Sequence, residues 1–330
     1  MAGTKKRVVA NSRLVKEIQM MADSSTRVSR RQFVAGTLAA SAMATGKVLA
    51  TQPAGPAGSN LPRGKICDLE ISRVLLGGNL LTHFTHSRDL RYVYSLARHY
   101  NTDEKILETL ALAEAQGVNT LVIHNPPHAM QLLKRYRKER GGKMQYIICP
   151  TAPVEPGLAK YTEEVLQLVD LGADAIYLWG VRADALVAAG QMDLVAKAVE
   201  VARAQGVPSG VGGHELEVVV ACQKHGIPAD FYIKTLHHHN YPSAKLNYDS
   251  MWCKNPDETI EFMKTVDKPW IAFKTMAAGA IPPRDAIEYV FRNGADFALL
   301  GMFDFEIAED VKIACDVLSG LKDRQRPWRG

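Results

Sequence analysis

Histidine is the residue type that most clearly indicates chemistry in this sequence. The chain has ten histidines, and eight of them fall at or just after the ends of short apolar segments. These eight are His83, His86, His124, His128, His214, His237, His238 and His239. A neutral imidazole can bind a metal or move a proton near neutral pH. Each one alone is also explained as a hydrogen-bonded structural residue, but together they predict a functional face.

Two lysines occupy positions like those of the histidines, at the ends of apolar segments. Lys234 and Lys274 lie near the ends of two apolar segments. A partly desolvated lysine can act as a base, stabilise an oxyanion or form a Schiff base. The apolar alternation before Lys274 predicts that its side chain points into the mouth of a barrel. We therefore expect Lys274 to act in catalysis together with His214 and His124.

A bound divalent metal is an alternative use for the imidazoles. Histidines end several predicted strands, and three or four nitrogen and oxygen ligands with one open position would suit zinc or manganese as a Lewis acid. The sequence has no local metal motif such as H-E-x-x-H. The expected metal ligands are His124, His214 and one of His237 or His239, and Glu155 or Glu215 could add an oxygen ligand.

Other residues near the predicted strand ends are expected to bind a substrate. These are Asn79, His86, His128, Trp179, Glu215, Lys234 and Trp252. The aromatic residues would form an apolar floor for a sugar ring. The hypothesis is an enzyme acting on a small polar, carbohydrate-like molecule by proton transfer, as a lyase, isomerase or hydrolase. The non-enzymatic alternative is a periplasmic barrel that only captures a ligand.

An eightfold alternation of strands and helices must position these residues. The predicted strands are Ile71–Leu76, Thr120–His124, Met144–Cys149, Ala175–Trp179, Pro208–Gly213, Phe231–Thr235, Trp270–Lys274 and Phe297–Gly301. Glycines that can end a helix recur before five of them, at Gly117, Gly172, Gly206, Gly226 and Gly294. This pattern predicts an α/β fold, a (β/α)8 barrel with its chemistry at the carboxyl ends of the strands. The alternative is an open doubly wound sheet, but no G-x-G-x-x-G follows the first strand.

The amino-terminal segment predicts export. A twin arginine, Arg30-Arg31, precedes a short apolar run, and Val48-Leu49-Ala50 fits a cleavage site. We therefore divide the chain into a twin-arginine signal peptide (1–50), a linker (51–66) and a single barrel domain (67–330). The expected partners are the twin-arginine export machinery and a small-molecule substrate, and the expected location is the periplasm or the medium. The apolar run is too short to be a membrane span, and no stable membrane span is expected after cleavage.

The charge distribution argues against a nucleic-acid partner. The 330-residue chain has a net charge of +5. Residues 1–50 contain nine Lys and Arg and two Asp and Glu, a net of +7, which leaves −2 for the rest. The basic excess thus belongs to the predicted signal peptide and not to a binding surface. The five cysteines form no C-x-x-C pair, which excludes common iron–sulfur and zinc-ribbon motifs.

Four segments of the sequence resemble strands of the aldo-keto reductase-like barrel superfamily. They are Gly-Val-Gly-Gly-His214-Glu215-Leu-Glu-Val, Ala173–Leu178, Lys268–Lys274 with Ala277–Gly279, and Asp296–Met302 followed by Glu309-Asp310-Val311. The likeness covers most of residues 70–320. It implies the same barrel and, as an alternative function, an NADP-dependent oxidoreductase.

The catalytic residues of that family do not carry over. The family has an Asp and a Tyr after its second strand, a Lys ending the third and a His ending the fourth. Here the corresponding segments contain His124, Cys149-Pro150-Thr151 and Trp179-Gly180. The segment Phe303-Asp304-Phe305-Glu306 is acidic where a dinucleotide phosphate would need basic residues. We therefore expect the fold without the reductase tetrad, and we do not expect NADP as the cofactor.

Overall fold

Eight parallel strands close into a barrel. A computed structural model describes residues 61–245 and 249–330 of the chain. The barrel strands are β3 (Val74–Gly77), β4 (Thr120–His124), β5 (Gln145–Cys149), β6 (Ala175–Leu178), β7 (Ser209–Gly213), β8 (Phe231–Thr235), β9 (Trp270–Phe273) and β10 (Phe297–Leu300). Each pairs in parallel with its neighbour in the sequence, and β10 returns to β3. The predicted (β/α)8 barrel is confirmed.

Helices connect the strands on the outside of the barrel. They are α1 (Tyr92–Tyr100), α2 (Asp103–Ala115), α3 (Pro127–Arg140), α4 (Ala159–Leu171), α5 (Gly180–Ala188), α6 (Met192–Arg203), α7 (Leu216–Lys224), α8 (Pro256–Lys264), α9 (Pro283–Arg292) and α10 (Ile307–Gly320). The predicted eightfold alternation of strands and helices is present. The short helices α1 and α5 are additional to the helices of that alternation.

An antiparallel hairpin precedes the barrel. Its strands are β1 (Arg63–Ile66) and β2 (Leu69–Ser72). Ile66 and Ile71 are fully buried and pack with Phe297 in the cluster that fills the barrel interior. The predicted linker 51–66 therefore includes residues that are part of the folded unit. Ile71, predicted to start the first barrel strand, belongs to this hairpin instead.

Side-chain alternation along the strands separates two cores. In a barrel strand, successive residues point alternately inward and outward. On β8, Phe231 and Ile233 belong to the interior cluster, whereas Tyr232 belongs to the cluster between barrel and helices. This phase fixes which strand residues can face the barrel mouth, and it decides the position of Lys234.

A buried ion pair holds the carboxyl-terminal segment to the barrel. Asp296 and Arg326 are both fully buried, with 2.6 Å between Oδ2 and Nη1. The backbone N–H of Trp270 also donates to Oδ2 of Asp296, at 2.9 Å. Removing one partner of such a pair typically costs about 3–5 kcal/mol, because the other charge is left buried alone.

Two sequence predictions fall in the first 60 residues, namely the twin-arginine signal and its cleavage site. These residues lie outside the described part of the chain. Within the described part, no helix has the length and apolar character needed to cross a bilayer.

Candidate active site

A cavity of about 790 Å³ opens at the carboxyl ends of the barrel strands. All eight strands contribute to its wall, through Gly77, His124, Cys149, Tyr177, Gly213, Ile233, Phe273 and Leu299. Because parallel strands end at the same edge of a barrel, the side chains predicted for this face can meet there. Seven of the predicted site residues line this cavity: Asn79, His86, His124, Trp179, His214, Trp252 and Lys274.

Three residues from distant loops form a hydrogen-bonded relay in the cavity wall. Nζ of Lys274 lies 2.8 Å from Nε2 of His86, and Nδ1 of His86 lies 2.9 Å from Oδ1 of Asp249. A carboxylate only accepts, so Nδ1 of His86 donates to Asp249. Nε2 of His86 is then left to accept from the amine of Lys274. The chain of donors thus runs from Lys274 through His86 to Asp249.

Burial gives Lys274 an amine that is readily deprotonated. Desolvation lowers the pKa of Lys274 to about 7, and the nearby charge of Asp249 partly offsets this. The ammonium position lies 4.0 Å from the ring centroid of Trp252 and 5.0 Å from that of Phe273. Burial also lowers the pKa of His86, and the charge of Lys274 lowers it further. Both groups can therefore be neutral near pH 7.

The backbone, and not strand alternation, turns Lys274 toward the cavity. Ile271 packs in the barrel interior and Phe273 packs against it, so alternation would point the next residue outward. Lys274 instead follows the last residue of β9 with a φ of 56°, in the left-handed region. The predicted position of Lys274 is correct, but the phase argument for it was wrong.

A second imidazole–carboxylate pair lies in the same cavity. Nδ1 of His214 donates to Oδ2 of Asp184 at 2.7 Å. The backbone N–H groups of His214 and Glu215 also donate to Asp184, at 3.0 and 3.1 Å. Nε2 of His214 has no partner among the described residues and remains available. Such a carboxylate fixes both the orientation and the tautomer of the imidazole.

Close backbone approach makes the Asp184–His214 pair possible. Asp184 lies in α5, whose first residue, Gly180, contacts β7. A Cβ added at Gly212 would lie 3.0 Å from the backbone N of Gly180, and one added at Gly180 would lie 3.3 Å from Cε1 of His214. Glycine at both positions lets the start of α5 approach the end of β7.

His124 lines the cavity without a hydrogen bond among the described residues. Its ring lies 5.8 Å from that of Phe84, edge to face. Burial lowers the pKa of His124, so the neutral imidazole is the favoured form. It can accept or donate one proton to a bound molecule.

His237 and His239 hold a loop and do not face the cavity. Nε2 of His237 accepts from the backbone N–H groups of Trp252 and Cys253, at 3.0 and 2.9 Å. Nε2 of His239 donates to the carbonyl of Cys253 at 2.7 Å. Burial lowers the pKa of His237 to about 4. The prediction that these two histidines bind a metal is wrong, because their nitrogens fix the segment that carries Trp252.

The predicted metal site is not assembled. Glu155 is exposed and does not line the cavity. Within residues 61–245 and 249–330, no group of three or more His, Cys, Asp or Glu is arranged to hold a metal ion. Of the expected ligands, only His124 and His214 share the cavity.

Three predicted substrate-binding residues also lie elsewhere. Lys234 points out of the barrel, following the phase of β8, and its ammonium donates to the carbonyl and hydroxyl of Thr235. Glu215 is half-exposed and pairs with Lys254. His128 lies on α3, half-exposed, and bonds to Asp103. Each side chain already has a protein partner outside the cavity.

Sequence reasoning missed both carboxylates that organise the site. Asp249 lies within a long loop, where no periodicity marks a functional residue. Asp184 lies one turn into α5, a helix that the predicted eightfold alternation does not include. The available signal for Asp184 was an acidic residue shortly after the end of β6.

Comparisons with known proteins support the fold. No protein-family model matches the chain, and no curated protein matches its sequence. Among solved structures, the aldo-keto reductase AKR11C1 from Bacillus halodurans in its holo form is 11% identical, with a TM-score of 0.55, covering 82% of this chain and 100% of that one. Gox0644 in its apo form is 12% identical, with a TM-score of 0.53, covering 82% and 98%. A variant of Gox0644 in complex with NADPH is 12% identical, with a TM-score of 0.51, covering 83% and 98%.

These similarities define the class of fold. The chain has an aldo-keto reductase-like barrel, and the resemblance predicted from its strand segments is confirmed. At this level of identity the likeness concerns architecture, and the chemistry must be argued from the site itself.

Acidic residues lie beside β10, where the resemblance to the reductases would place the phosphates of a dinucleotide. Glu306 lines the cavity there, and the first turn of α10 adds Glu309 and Asp310. Burial, and then the charges of Glu306 and Glu309, raises the pKa of Asp310 to about 6. Among the described lining residues, the only Lys and Arg side chains are Arg88 and Lys274, on other loops.

Proposed function

We propose that this protein is an enzyme that moves a proton at the carbon next to a carbonyl group, in a small polar, carbohydrate-like substrate. The reaction classes that use this step are isomerases and lyases. The observation that carries the proposal is the amine of Lys274, with a pKa of about 7, bonded through His86 to Asp249 in the cavity wall. A base whose pKa lies near the working pH transfers protons most effectively.

In the proposed step, the neutral amine of Lys274 takes the proton from the α-carbon. The C–H bond breaks, an N–H bond forms, and the electron pair becomes the double bond of an enol or enolate. His86 holds the amine in position, because its Nε2 accepts one of the N–H groups. In an α-hydroxy carbonyl substrate, the carbonyl oxygen gains a proton and the α-hydroxyl loses one. Return of the abstracted proton to the former carbonyl carbon then completes an isomerisation.

His214 is the proposed partner for the carbonyl oxygen. Asp184 accepts the Nδ1–H of His214, so Nε2 is the acceptor nitrogen. It first takes the proton of the substrate's α-hydroxyl and then, as an N–H, donates to the carbonyl oxygen. Charge that develops on oxygen is stabilised most by groups already oriented in a site that excludes water. His124 is a second candidate for the same oxygen, and Trp179 and Trp252 supply apolar surface for the substrate body.

Deuterium exchange tests this function without knowledge of the product. The protein is incubated in D2O with a panel of aldoses, ketoses and 2-oxo acids, and loss of the α-proton signal is followed by NMR. The expected result is exchange above background for at least one member, abolished in Lys274→Met. If no member exchanges faster than with heat-denatured protein, the proposal is wrong.

A second candidate function is an NADP-dependent reductase. The likeness to aldo-keto reductase barrels favours it, and the acidic residues beside β10 weigh against it. Titration with NADPH, followed by fluorescence, separates the two candidates. Saturable binding in the micromolar range, together with substrate-dependent oxidation of NADPH, would support the reductase and displace the proton-transfer enzyme.

A further inference from the structure

One wall of the cavity carries polar groups that the proposed proton transfer does not use. Nε of Arg88 and the hydroxyls of Thr85, Ser87 and Thr275 are buried and have no hydrogen-bond partner among the described residues. All four residues line the cavity. A buried donor without a partner is destabilising, so several together indicate a missing acceptor.

Asp249 holds Arg88 in place. Oδ2 of Asp249 accepts the backbone N–H groups of Ser87 and Arg88, at 3.0 and 3.1 Å. Arg88 adopts a φ of 58°, a conformation that a non-glycine residue adopts only when its surroundings enforce it. The same carboxylate that orients His86 thereby fixes the backbone from which the Arg88 side chain extends.

The guanidinium of Arg88 has no carboxylate partner within the described residues. Asp249, which accepts the backbone N–H of Arg88, already binds His86 and the backbone N–H of Ser87 as well. A guanidinium matches a carboxylate with two parallel hydrogen bonds, and a single arginine balances a single negative charge. The hydroxyls beside it can donate to the same oxygens.

We infer that Arg88 binds a carboxylate of the substrate, so that the substrate class is a carbonyl compound bearing one carboxylate group. The inference rests on the proposed function for the identity of the reacting carbonyl. The carboxylate is held by Arg88 while the carbonyl end reaches Lys274, because His86 joins segment 85–88 to Lys274.

Binding measurements on matched pairs test the inference. The probes are D-glucuronate and 2-oxo-4-phenylbutanoate, each compared with its neutral primary amide, and inorganic phosphate. Isothermal titration is performed on the wild-type protein, on Arg88→Gln and on Arg98→Gln. Arg98 is the matched control, since it is exposed on α1 and does not line the cavity.

The expected result is that the wild-type protein binds at least one of the carboxylates about tenfold or more tightly than its amide, a preference of about 1.4 kcal/mol. Arg88→Gln abolishes that preference, whereas Arg98→Gln keeps it. Equal binding of acids and amides, the absence of saturable binding of either acid, or an unchanged preference in Arg88→Gln would overturn the inference. Tighter binding of phosphate than of both acids would also overturn it, in favour of a phosphorylated substrate.

Lys274→Met distinguishes this inference from the proposed function. If Arg88 supplies the positive charge, the preference for the acid persists in Lys274→Met although deuterium exchange is lost. If wild-type protein shows the acid preference but no exchange with any substrate, the carboxylate site stands and the proposed reaction fails. If the preference disappears in Lys274→Met and persists in Arg88→Gln, Lys274 binds the anion and the inference is wrong.

Discussion

Lys274 and His86 lie 188 positions apart in the chain, yet their side-chain nitrogens approach to 2.8 Å. The contact joins the loop after β9 to the loop after β3, and it places an amine beside an unprotonated imidazole nitrogen. Asp249, from the loop after β8, completes the relay. Three loops at the carboxyl ends of the barrel strands thus depend on one another for the geometry of a single basic group.

The pH dependence of the reaction should follow the protonation of Lys274. A lysine acting as a base works in its neutral form, and its pKa is about 7. The rate should therefore rise about tenfold per pH unit below pH 7 and level off above it. Lys274→Arg should be inactive at every pH tested, because a guanidinium stays charged. A rate that is independent of pH between 5 and 9 would remove Lys274 as the base.

Asp249→Asn should move that pH profile toward lower pH. The charge of Asp249 raises the pKa of Lys274, so its removal lets desolvation lower the pKa further. The maximal rate should also fall, since the imidazole of His86 loses its anionic partner. The control is Asp103→Asn, because Asp103 pairs with His128 on the outer surface. A profile that stays in place or moves to higher pH would contradict the relay.

Asp184→Asn should reduce the rate of deuterium exchange by about 10–100-fold, as is typical when the partner that orients a functional histidine is lost. Asp184 acts through His214, so the double variant with His214→Gln should be no slower than His214→Gln alone. If the loss of rate in the double variant equals the sum of the losses in the two single variants, in free-energy terms, Asp184 acts independently of His214. Circular dichroism of each variant checks that the barrel remains folded.

His237→Ala should destabilise the protein, and the loss should depend on pH. The pKa of His237 is about 4 in the folded protein and ordinarily 6.5, so the unfolded chain binds a proton between these values and the folded protein does not. The stabilisation by His237 is therefore fully present above pH 6.5 and declines as the pH falls toward 4. Urea unfolding should show a large difference between wild type and variant at pH 7 and a smaller one at pH 4.5. A difference that is equal at both values would contradict this role.

Export should depend on the twin arginine. We propose that the first 50 residues form a twin-arginine signal, on the basis of the sequence pattern around Arg30 and Arg31. Replacing both arginines with lysine keeps the charge and should retain the protein in the cytoplasm, as measured by cell fractionation. The matched control is the double replacement of Lys5 and Lys6 with arginine, which should not affect export. Equal periplasmic amounts for both variants would refute the signal.

Local patterns determined most of the fold. The strands Thr120–His124 and Phe231–Thr235 have the bounds that the sequence pattern predicts. These signals are local, because a strand or helix that buries one face must repeat apolar residues at its own period. The expectation that chemistry lies at the carboxyl ends of the strands follows from the fold class alone.

The sequence pattern alone could not determine which polar side chains meet. Lys234 and Lys274 look alike in sequence, but strand phase buries the first outside the barrel and a left-handed backbone turns the second into the cavity. His214 and His237 both follow strand ends, yet one bonds to a carboxylate in the cavity and the other to backbone N–H groups. Asp249 acts on His86 across 163 positions. Such contacts depend on loop conformations that only the closed barrel brings together, so no local pattern encodes them.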